Sequence, residues 1–320
     1  MRLPPPGFSL NLPAMPPRLL FLLAAAWLLA TGGGAAERFS VATYNVENYL
    51  DRPVPGRTAK TTEGKAKVRD TLLAVRADVL ALQEIGSTNA LLELRASLQT
   101  AGLNYPHWEH ISGRDTNIHV AVLSRFPIVA RRPHTDDSFL LNGRRFRVSR
   151  GFVELDIQVT PQFQLTLLTA HLKSKRSVPE ADQAELREQE ALLLREKIDA
   201  RLTTNPEALL LVLGDLNDTR EAKPIRTIIG RARNALVDLR PEEATRAAPD
   251  APLQRLGANV TWTYFYNRED AYSRFDYVLV NRALAARVVP EQTCVLALPW
   301  WREASDHRPV LVTFSLGPDK

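Results

Sequence analysis

The sequence VLGDLND, residues 212–218, ends an aliphatic run with one glycine, two aspartates and one asparagine. The aliphatic run, 209–213, is typical of a buried strand. Successive side chains of a strand point to opposite faces, so Asp215 and Asn217 would share one face and Asp218 the other. Two interpretations stay open. The polar residues could form a turn by bonding their own backbone, or Asp215 and Asn217 could line a site while Asp218 serves the turn.

Similar polar residues end other strand-like runs, lie within one (Asp276) or directly precede one (Asp306 and His307), and this recurrence favours a functional site. Charged groups at buried strand ends are costly unless they are paired or bind a cation. Carboxylate and amide oxygens suit Mg²⁺ or Mn²⁺, whereas the single cysteine and scattered histidines give no zinc-binding pattern. The polar residues are Asn45 and Glu47, Gln83 and Glu84, His171 with Lys173 and Lys175, Asp276, and Asp306 with His307.

Strand-like runs alternate with segments whose apolar residues recur at helical spacing. The spacing predicts helices over 65–77 and 180–202, and Ser87 or Thr88 would cap a further helix. A short TPQF connection predicts a hairpin within 152–172. This mixture of helices and hairpins favours a single α/β sandwich domain.

The first 36 residues resemble a secretory leader. They contain the apolar run LLFLLAAAWLLA (19–30), followed by small residues up to Ala36. A retained membrane anchor is the alternative, although the run is shorter than the span of about 20 residues that a bilayer requires. We therefore predict a signal peptide over 1–36, a domain over 37–320, and a periplasmic or secreted protein. The one cysteine, Cys294, excludes an intramolecular disulfide.

The charge of the chain gives a weak indication of its partner. The formal net charge is +5, which is a mild bias towards anionic partners and no sign of a dedicated nucleic-acid groove. Two basic clusters are more pronounced, NGRRFRVSR (142–150) and HLKSKR (171–176). A solvated edge is the alternative interpretation of both.

Six short motifs together resemble those of the endonuclease/exonuclease/phosphatase superfamily. In chain order they are TYNVEN, LQEI, TAHLKS, LGDLND, SRFDYVLV and SDHRPV. The resemblance covers essentially the whole chain after the leader. It implies a four-layered α/β sandwich in which two packed sheets, mixed or antiparallel, are flanked by helices, with the active site at one edge.

The resemblance also implies a metal site. Glu84 matches the principal ligand, assisted by Asn45 and Asp306, and Glu47 is a candidate ligand of a second metal. The expected ion is Mg²⁺ or Mn²⁺.

The same resemblance assigns catalytic roles. Asp215 matches the residue that orients or deprotonates water, and Asn217 matches its phosphate-binding companion. Asp276 and His307 match a carboxylate–imidazole dyad, and His171 matches a phosphate contact.

Two further residues are candidate substrate contacts, Lys173 within the second basic cluster and Arg274 beside the dyad aspartate. One departure from the deoxyribonuclease branch concerns His171, whose glutamate partner would come from the segment NIHVAVLSR (117–125). That segment has no acid, which favours phosphate binding by His171 over proton transfer.

The resulting hypothesis is an exported, Mg²⁺-dependent phosphodiesterase, with nucleic acid as the first substrate to consider. A phosphatase or phospholipase-type phosphodiesterase acting on lipid head groups or small phosphoesters is the alternative enzyme. A catalytically inert binding module of the same fold is the alternative outside enzymes. The sequence indicates neither the substrate nor the oligomeric state.

Overall fold

A computed structural model describes residues 38–248, 251–257 and 261–317. The predicted signal peptide, 1–36, lies outside the described residues. Within those residues, no helix combines the length and the apolar character that crossing a bilayer would require.

The described residues form many short strands and fewer helices. The strands are β1 (Arg38–Tyr49), β2 (Val79–Ile85), β3 (His107–Ile111), β4 (His119–Ser124), β5 (Ile128–Arg131), β6 (Ser138–Leu141), β7 (Arg144–Arg147), β8 (Phe152–Thr160), β9 (Phe163–His171), β10 (Leu209–Asp215), β11 (Val237–Asp238), β12 (Glu243–Thr245), β13 (Gln254–Arg255), β14 (Tyr264–Tyr266), β15 (Ala271–Ser273), β16 (Asp276–Val280), β17 (Cys294–Leu296) and β18 (Val310–Ser315). The α-helices are α1 (Thr62–Val75), α2 (Thr88–Thr100), α3 (Gln183–Thr204), α4 (Lys223–Ile229), α5 (Arg282–Ala285) and α6 (Trp301–Ala304).

Two large sheets form the centre of the domain. The first has the strand order β13-β12-β17-β18-β1-β2-β4-β3 and the second the order β11-β16-β10-β9-β8-β5. Both are mixed, because β1 and β2 run parallel in the first sheet, as β9 and β10 do in the second. The predicted hairpin is confirmed by the antiparallel pairing of β8 with β9.

Alternation along the central strands separates three hydrophobic cores. Val41 on β1 and Leu211 on β10 are fully buried in the core between the two sheets. Their neighbours Ala42 and Val212 point to the opposite faces and lie in two outer cores. Each fully buried aliphatic side chain contributes about 1.5–3 kcal/mol, so both faces of each sheet must be covered.

Helices cover the two outer faces. α1 and α2 bury Val68 and Leu91 against the first sheet, and α3 and α4 bury Leu194 and Ile225 against the second. The order of layers is helices, sheet, sheet, helices. The predicted four-layered sandwich with two packed sheets is confirmed.

Side-chain caps set where the helices begin. α1 begins three residues before the predicted segment, because the Thr61 hydroxyl accepts a hydrogen bond from the Gly64 amide at 3.1 Å. Ser87 caps α2, as predicted. α3 begins at Gln183, since the Asp182 carboxylate accepts bonds from the backbone amides of Ala184 and Glu185.

An ion cluster on the second sheet offers a test of fold stability. Glu154 on β8 is 3% exposed, and its carboxylate bonds to Arg132, His134 and Arg201. Burial alone would raise the pKa of Glu154, but these bonds lower it from 4.5 to about 2. A depressed carboxyl pKa stabilises the fold above the unfolded value, and that stability is lost as the pH falls from 4.5 towards 2.

We expect Glu154→Gln to lower the free energy of unfolding by about 3 kcal/mol at pH 7, because one pKa unit corresponds to about 1.4 kcal/mol. The difference from the parent protein should shrink as the pH falls from 4.5 to 2. Urea unfolding at several pH values measures this. The exposed Glu207→Gln should leave stability unchanged at every pH, and a deficit in Glu154→Gln that is independent of pH would contradict the assignment.

Candidate active site

Three adjacent strands of the second sheet place three predicted residues side by side. In the strand register, Asp215 at the end of β10 lies opposite His171 of β9 on one side and Asp276 of β16 on the other. Gly214 permits this approach, because a Cβ atom there would lie 2.0 Å from the Ala170 carbonyl oxygen. The φ angle of Gly214 is 136°, in the region that favours glycine.

The two oxygens of Asp215 have different roles. Oδ1 accepts the backbone N–H of Asn217 at 3.0 Å, which is a turn interaction. Oδ2 accepts the Asn45 amide at 3.0 Å and lies 3.4 Å from His171 Nε2 and 3.7 Å from His307 Nε2. The turn and the site were alternative interpretations of the sequence, and in the structure the same carboxylate makes the turn bond and the contacts to Asn45, His171 and His307.

Asn45 joins the two sheets at this edge. Its side chain comes from β1 of the first sheet and donates to Asp215 of the second. Its backbone carbonyl accepts the Ser305 hydroxyl at 2.7 Å, and Ser305 Oγ in turn accepts the His307 N–H at 3.0 Å. The loop that carries His307 is therefore fastened to the end of β1.

Asp276 and His307 form a close pair. His307 Nδ1 lies 2.7 Å from Asp276 Oδ2, and both residues are buried. The Thr263 hydroxyl accepts the backbone N–H of Asp276 at 3.0 Å and fixes the strand end. Among the described residues, Asp276 Oδ1 has no hydrogen-bond partner. The contact brings together the two residues that the resemblance assigns to a dyad.

The pKa values of the two histidines are shifted in opposite directions. Burial alone would lower the pKa of His307, but the charges of Asp276 and Asp215 raise it well above its ordinary value. Burial and then the charges of Arg150 and His307 lower the pKa of His171 well below its ordinary value. Burial also raises the pKa of Asp215, since the charge of His307 offsets only part of that effect. Opposite shifts in neighbouring groups are typical of acid–base sites.

Left-handed backbone conformations shape the strand ends around the site. Glu84 has a φ of 62° and interrupts the register of β2, so it is not paired as Gln83 is. Glu47, Asn48 and Asn217 also have positive φ, between 44° and 55°. Each non-glycine residue in this region costs about 1–2 kcal/mol, and such strain clusters at functional sites.

The predicted metal ligands line the first-sheet side of the site. Glu84 Oε2 accepts the backbone N–H of Asn48 at 3.0 Å and lies 3.3 Å from Arg57 Nη1. Glu47 Oε2 lies 3.3 Å from Lys60 Nζ. In the part of the chain that the structure describes, no three acidic, histidine or cysteine side chains are gathered into a metal cluster.

The donor chemistry of these residues nevertheless fits a divalent cation. Burial raises the pKa of Asp306, and the charges of Glu47 and Glu84 add to the rise. The Asp306 side chain is 37% exposed, so solvent screens part of this repulsion. A hard cation at these oxygens would relieve it, and Arg57 and Lys60 supply part of that compensation in this structure.

The structure places the remaining predicted residues in defined contacts. Asn217 Nδ2 donates to the Leu172 carbonyl at 3.0 Å, so its side chain holds the turn against β9. Lys173 Nζ donates to the backbone carbonyls of Ser174 and Arg176. The two guanidinium N–H groups of Arg274 donate to the Asp238 carboxylate at 2.9 and 2.6 Å. Substrate contact by Lys173 or Arg274 would require these bonds to open, and it stays a prediction.

Four further residues belong to the site and are not identified by reasoning from the sequence. Thr263 and Ser305 fix the dyad by hydrogen bonds, and the charges of Arg57 and Arg150 act on His171. Arg150 lies in the first basic cluster, which was the available signal. Arg57 lies in an irregular loop that has no sequence pattern pointing to a site.

Comparison with known proteins identifies the family. A sequence model of the Endonuclease/Exonuclease/phosphatase family matches residues 42–307. The chain therefore belongs to this family, whose members hydrolyse phosphoester bonds and generally depend on a divalent metal. The prediction of a phosphoester hydrolase is confirmed. Comparison with curated proteins gave no match.

Solved structures of similar fold cover most of the chain. Truncated TDP2 from Caenorhabditis elegans is 20% identical with a TM-score of 0.55, covering 87% of this chain and 97% of its own. Sphingomyelinase C from Streptomyces griseocarneus is 17% identical with a TM-score of 0.59, covering 87% and 100%. TDP2 from D. rerio, complexed with a single-strand DNA product, is 19% identical with a TM-score of 0.58, covering 87% and 99%. At these identities the likeness concerns the fold.

The dyad geometry generates a prediction about the charge of His307. We expect Asp276→Asn to lower the pKa of His307, because the largest stabilising charge on the imidazolium is removed. An NMR titration of the His307 ring measures the shift. The activity of Asp276→Asn should fall by about 10²–10⁴-fold. The double variant with Asp276→Asn and His307→Ala should be little less active than His307→Ala alone, because the two residues act as one unit.

The exposed Asp270→Asn is the matched control and should leave both readouts unchanged. Multiplicative losses in the double variant would show that the two residues act independently.

Proposed function

We propose that this protein is an exported, Mg²⁺-dependent phosphodiesterase that cleaves nucleic acid by in-line attack of water on phosphorus. The observation that carries the proposal is the buried Asp215 carboxylate, whose Oδ2 faces Asn45, His171 and His307 within 3.0–3.7 Å. A carboxylate of raised pKa between two imidazoles suits the orientation and deprotonation of water.

Asp215 would act as the base. The Asn45 amide and the turn bond to Asn217 hold both of its oxygens, so the carboxylate cannot rotate away from an incoming water. Its raised pKa makes it a stronger proton acceptor than an exposed aspartate.

His307 would stabilise the charge that develops on the phosphoryl oxygens. Its Nδ1 contacts Asp276, which leaves Nε2 directed towards Asp215 and the space in front of it. A charged imidazole held in this way donates a hydrogen bond without further reorganisation. His171, kept neutral, would bind the phosphate by a hydrogen bond.

Oxygen atoms of Glu84, Asn45, Asp306 and Glu47 would hold the divalent cation. When bound, Mg²⁺ supplies neutralisation of the phosphate charge, which otherwise repels the attacking oxygen. Mg²⁺ is favoured over Zn²⁺ because the donors are hard oxygens.

Nucleic acid is the proposed substrate because the described chain carries basic clusters beside the site and one similar fold is a TDP2 complexed with single-strand DNA product. The likeness to a sphingomyelinase C supports the alternative, a phosphodiesterase acting on lipid head groups or small phosphoesters. An inert binding module would show no turnover on any of these substrates.

We expect the purified protein to hydrolyse bis-p-nitrophenyl phosphate with Mg²⁺ and to lose that activity in EDTA. Asp215→Asn should reduce the rate by about 10²–10⁴-fold, because the base is removed while the shape is kept. A panel of duplex DNA, single-stranded DNA, RNA, sphingomyelin and inositol phosphates identifies the preferred substrate. Preference for sphingomyelin would favour the alternative enzyme.

Thermal unfolding with and without metal tests the predicted ligands independently of turnover. Saturating Mg²⁺ or Mn²⁺ should raise the melting temperature by several degrees, since a ligand at 100 times its Kd stabilises by about 2.7 kcal/mol. Glu84→Gln should weaken this shift, and excess Mg²⁺ should restore part of the activity. Glu221→Gln, at an exposed position, is the control. An unchanged metal-induced shift in Glu84→Gln would remove Glu84 from the site.

We further propose that residues 1–36 direct export and are removed. The apolar run 19–30 and the small residues after it motivate this proposal. N-terminal sequencing of protein recovered from the periplasm or medium should give a start close to Ala36–Glu37. Leu23→Arg should keep the chain in the cytoplasm. Recovery of intact Met1 in the membrane fraction would instead indicate an anchor.

A further inference from the structure

A basic cavity of about 490 Å³ lies beside the candidate site. Its walls come from the loop after β1, the loop before β4, the β6–β7 hairpin with the residues that follow it, and the segment between β9 and α3. No residue of this cavity has been used above as the base, the dyad or a metal ligand.

The hairpin wall is anchored by a small hydrophobic core of its own. Phe139 of β6 and Phe146 of β7 stack with ring centroids 5.9 Å apart, and both pack with Leu186 of α3. These three side chains are at most 8% exposed. The hairpin is thereby held against the helix, and the cavity is a built feature of the fold.

The lining of the cavity has an excess of positive charge. Its acids are Asp115, Glu180 and Glu190. The Glu190 carboxylate already accepts hydrogen bonds from the backbone N–H groups of Ser149 and Lys173, so its oxygens are engaged within the protein. The cations that line it are Arg57, Arg114, Arg147, Arg150, Lys173 and Arg176.

Two of these arginines are available to a ligand. Among the described residues, the Arg114 guanidinium makes no ion pair or hydrogen bond, and its side chain is exposed. Arg176 is also exposed, and its guanidinium makes a single long bond of 3.4 Å to the Gly56 carbonyl.

Buried groups connect the cavity to the active site. Arg150 is 4% exposed and lines the cavity, where its Nε lies 3.5 Å from Asp115 Oδ2. Its Nη1 donates to the Leu172 carbonyl at 3.0 Å, next to His171. Arg57 lines the cavity and also contacts Glu84. A chain of substrate held at Asp215 could therefore continue into this cavity.

We propose that the cavity binds the phosphate adjacent to the scissile one in a nucleic-acid strand. The proposal rests on the proposed function and adds to it a preference for substrates with at least two phosphates in sequence. Guanidinium groups bind phosphate oxygens through paired, charge-assisted bonds, and Arg114 and Arg176 have donors to supply them. Pro55 and Val178 provide apolar surface for the intervening sugar.

A single phosphoester would leave this cavity empty, which makes the proposal testable. We expect Arg114→Gln and Arg176→Gln each to lower kcat/KM for a single-stranded oligonucleotide by about five- to tenfold. The salt dependence of kcat/KM should become less steep, by about 0.7 in the logarithmic slope for one lost phosphate contact. Hydrolysis of bis-p-nitrophenyl phosphate should not change, because it has no second phosphate.

Arg145→Gln is the matched control. Arg145 lies on the same hairpin, is exposed, and bonds Ser138 rather than lining the cavity. This variant should keep the parent activity on both substrates. An equal loss in Arg145→Gln and Arg114→Gln would show a general charge effect and overturn the proposal.

A modified substrate gives a second, independent test of the phosphate contact. Replacing one phosphate neighbouring the scissile bond by a neutral methylphosphonate should slow the parent protein and leave Arg114→Gln with little further loss, since both changes remove the same contact. Additive losses would overturn the assignment. The proposal would also be overturned if Arg114→Gln and Arg176→Gln slowed the hydrolysis of inositol polyphosphates and left the hydrolysis of oligonucleotides unchanged. If the parent protein hydrolyses neither substrate, the proposed function fails instead.

Discussion

The hydrogen bond from the Asn45 amide to the Asp215 carboxylate joins the edges of the two sheets. Asp215 is 1% exposed and Asp276 is 2% exposed, so two carboxylates lie beneath the surface within one site. A buried charge without partners is strongly destabilising, and here each partner comes from a different strand or loop. The neutral amide and the imidazolium of His307 therefore determine which loops must meet at this edge, and so where the site forms.

The packed sheets hold the strained backbone conformations that surround the site. Glu47, Asn48, Glu84 and Asn217 adopt left-handed backbone conformations at the strand ends. Such conformations persist only where the surroundings over-determine them. The core between the sheets and the two outer cores supply that constraint, because the strands leading into the site are buried on both faces. Precise side-chain placement at the edge thus depends on a core that extends across the whole domain.

Charge is distributed unevenly around Asp215. Acidic residues gather on the side of β1 and β2, and arginines and lysines gather on the side of β9 and the β6–β7 hairpin. Burial and nearby cations lower the pKa of His171 on the basic side, whereas neighbouring carboxylates raise the pKa of His307. The two proposals agree with this asymmetry. They place the metal on the acidic side and the rest of the nucleic-acid strand on the basic side.

The sequence by itself indicated the fold class and the candidate residues that the structure brings together around Asp215. A continuous aliphatic run such as 209–213 indicates a strand whose two faces are both covered, and polar residues beside such strands are expected to meet at one edge of the sheets. Tertiary structure alone decided what each side chain does there. Lys173 turns to backbone carbonyls, Arg274 binds Asp238, and Arg57 reaches Glu84 from a loop with no recognisable pattern. The direction of a side chain at a strand end depends on bulges and on partners far away in the chain, and the charge state of a histidine depends on burial and neighbouring charges. Neither is encoded in the local sequence, so both emerge only when the sheets pack.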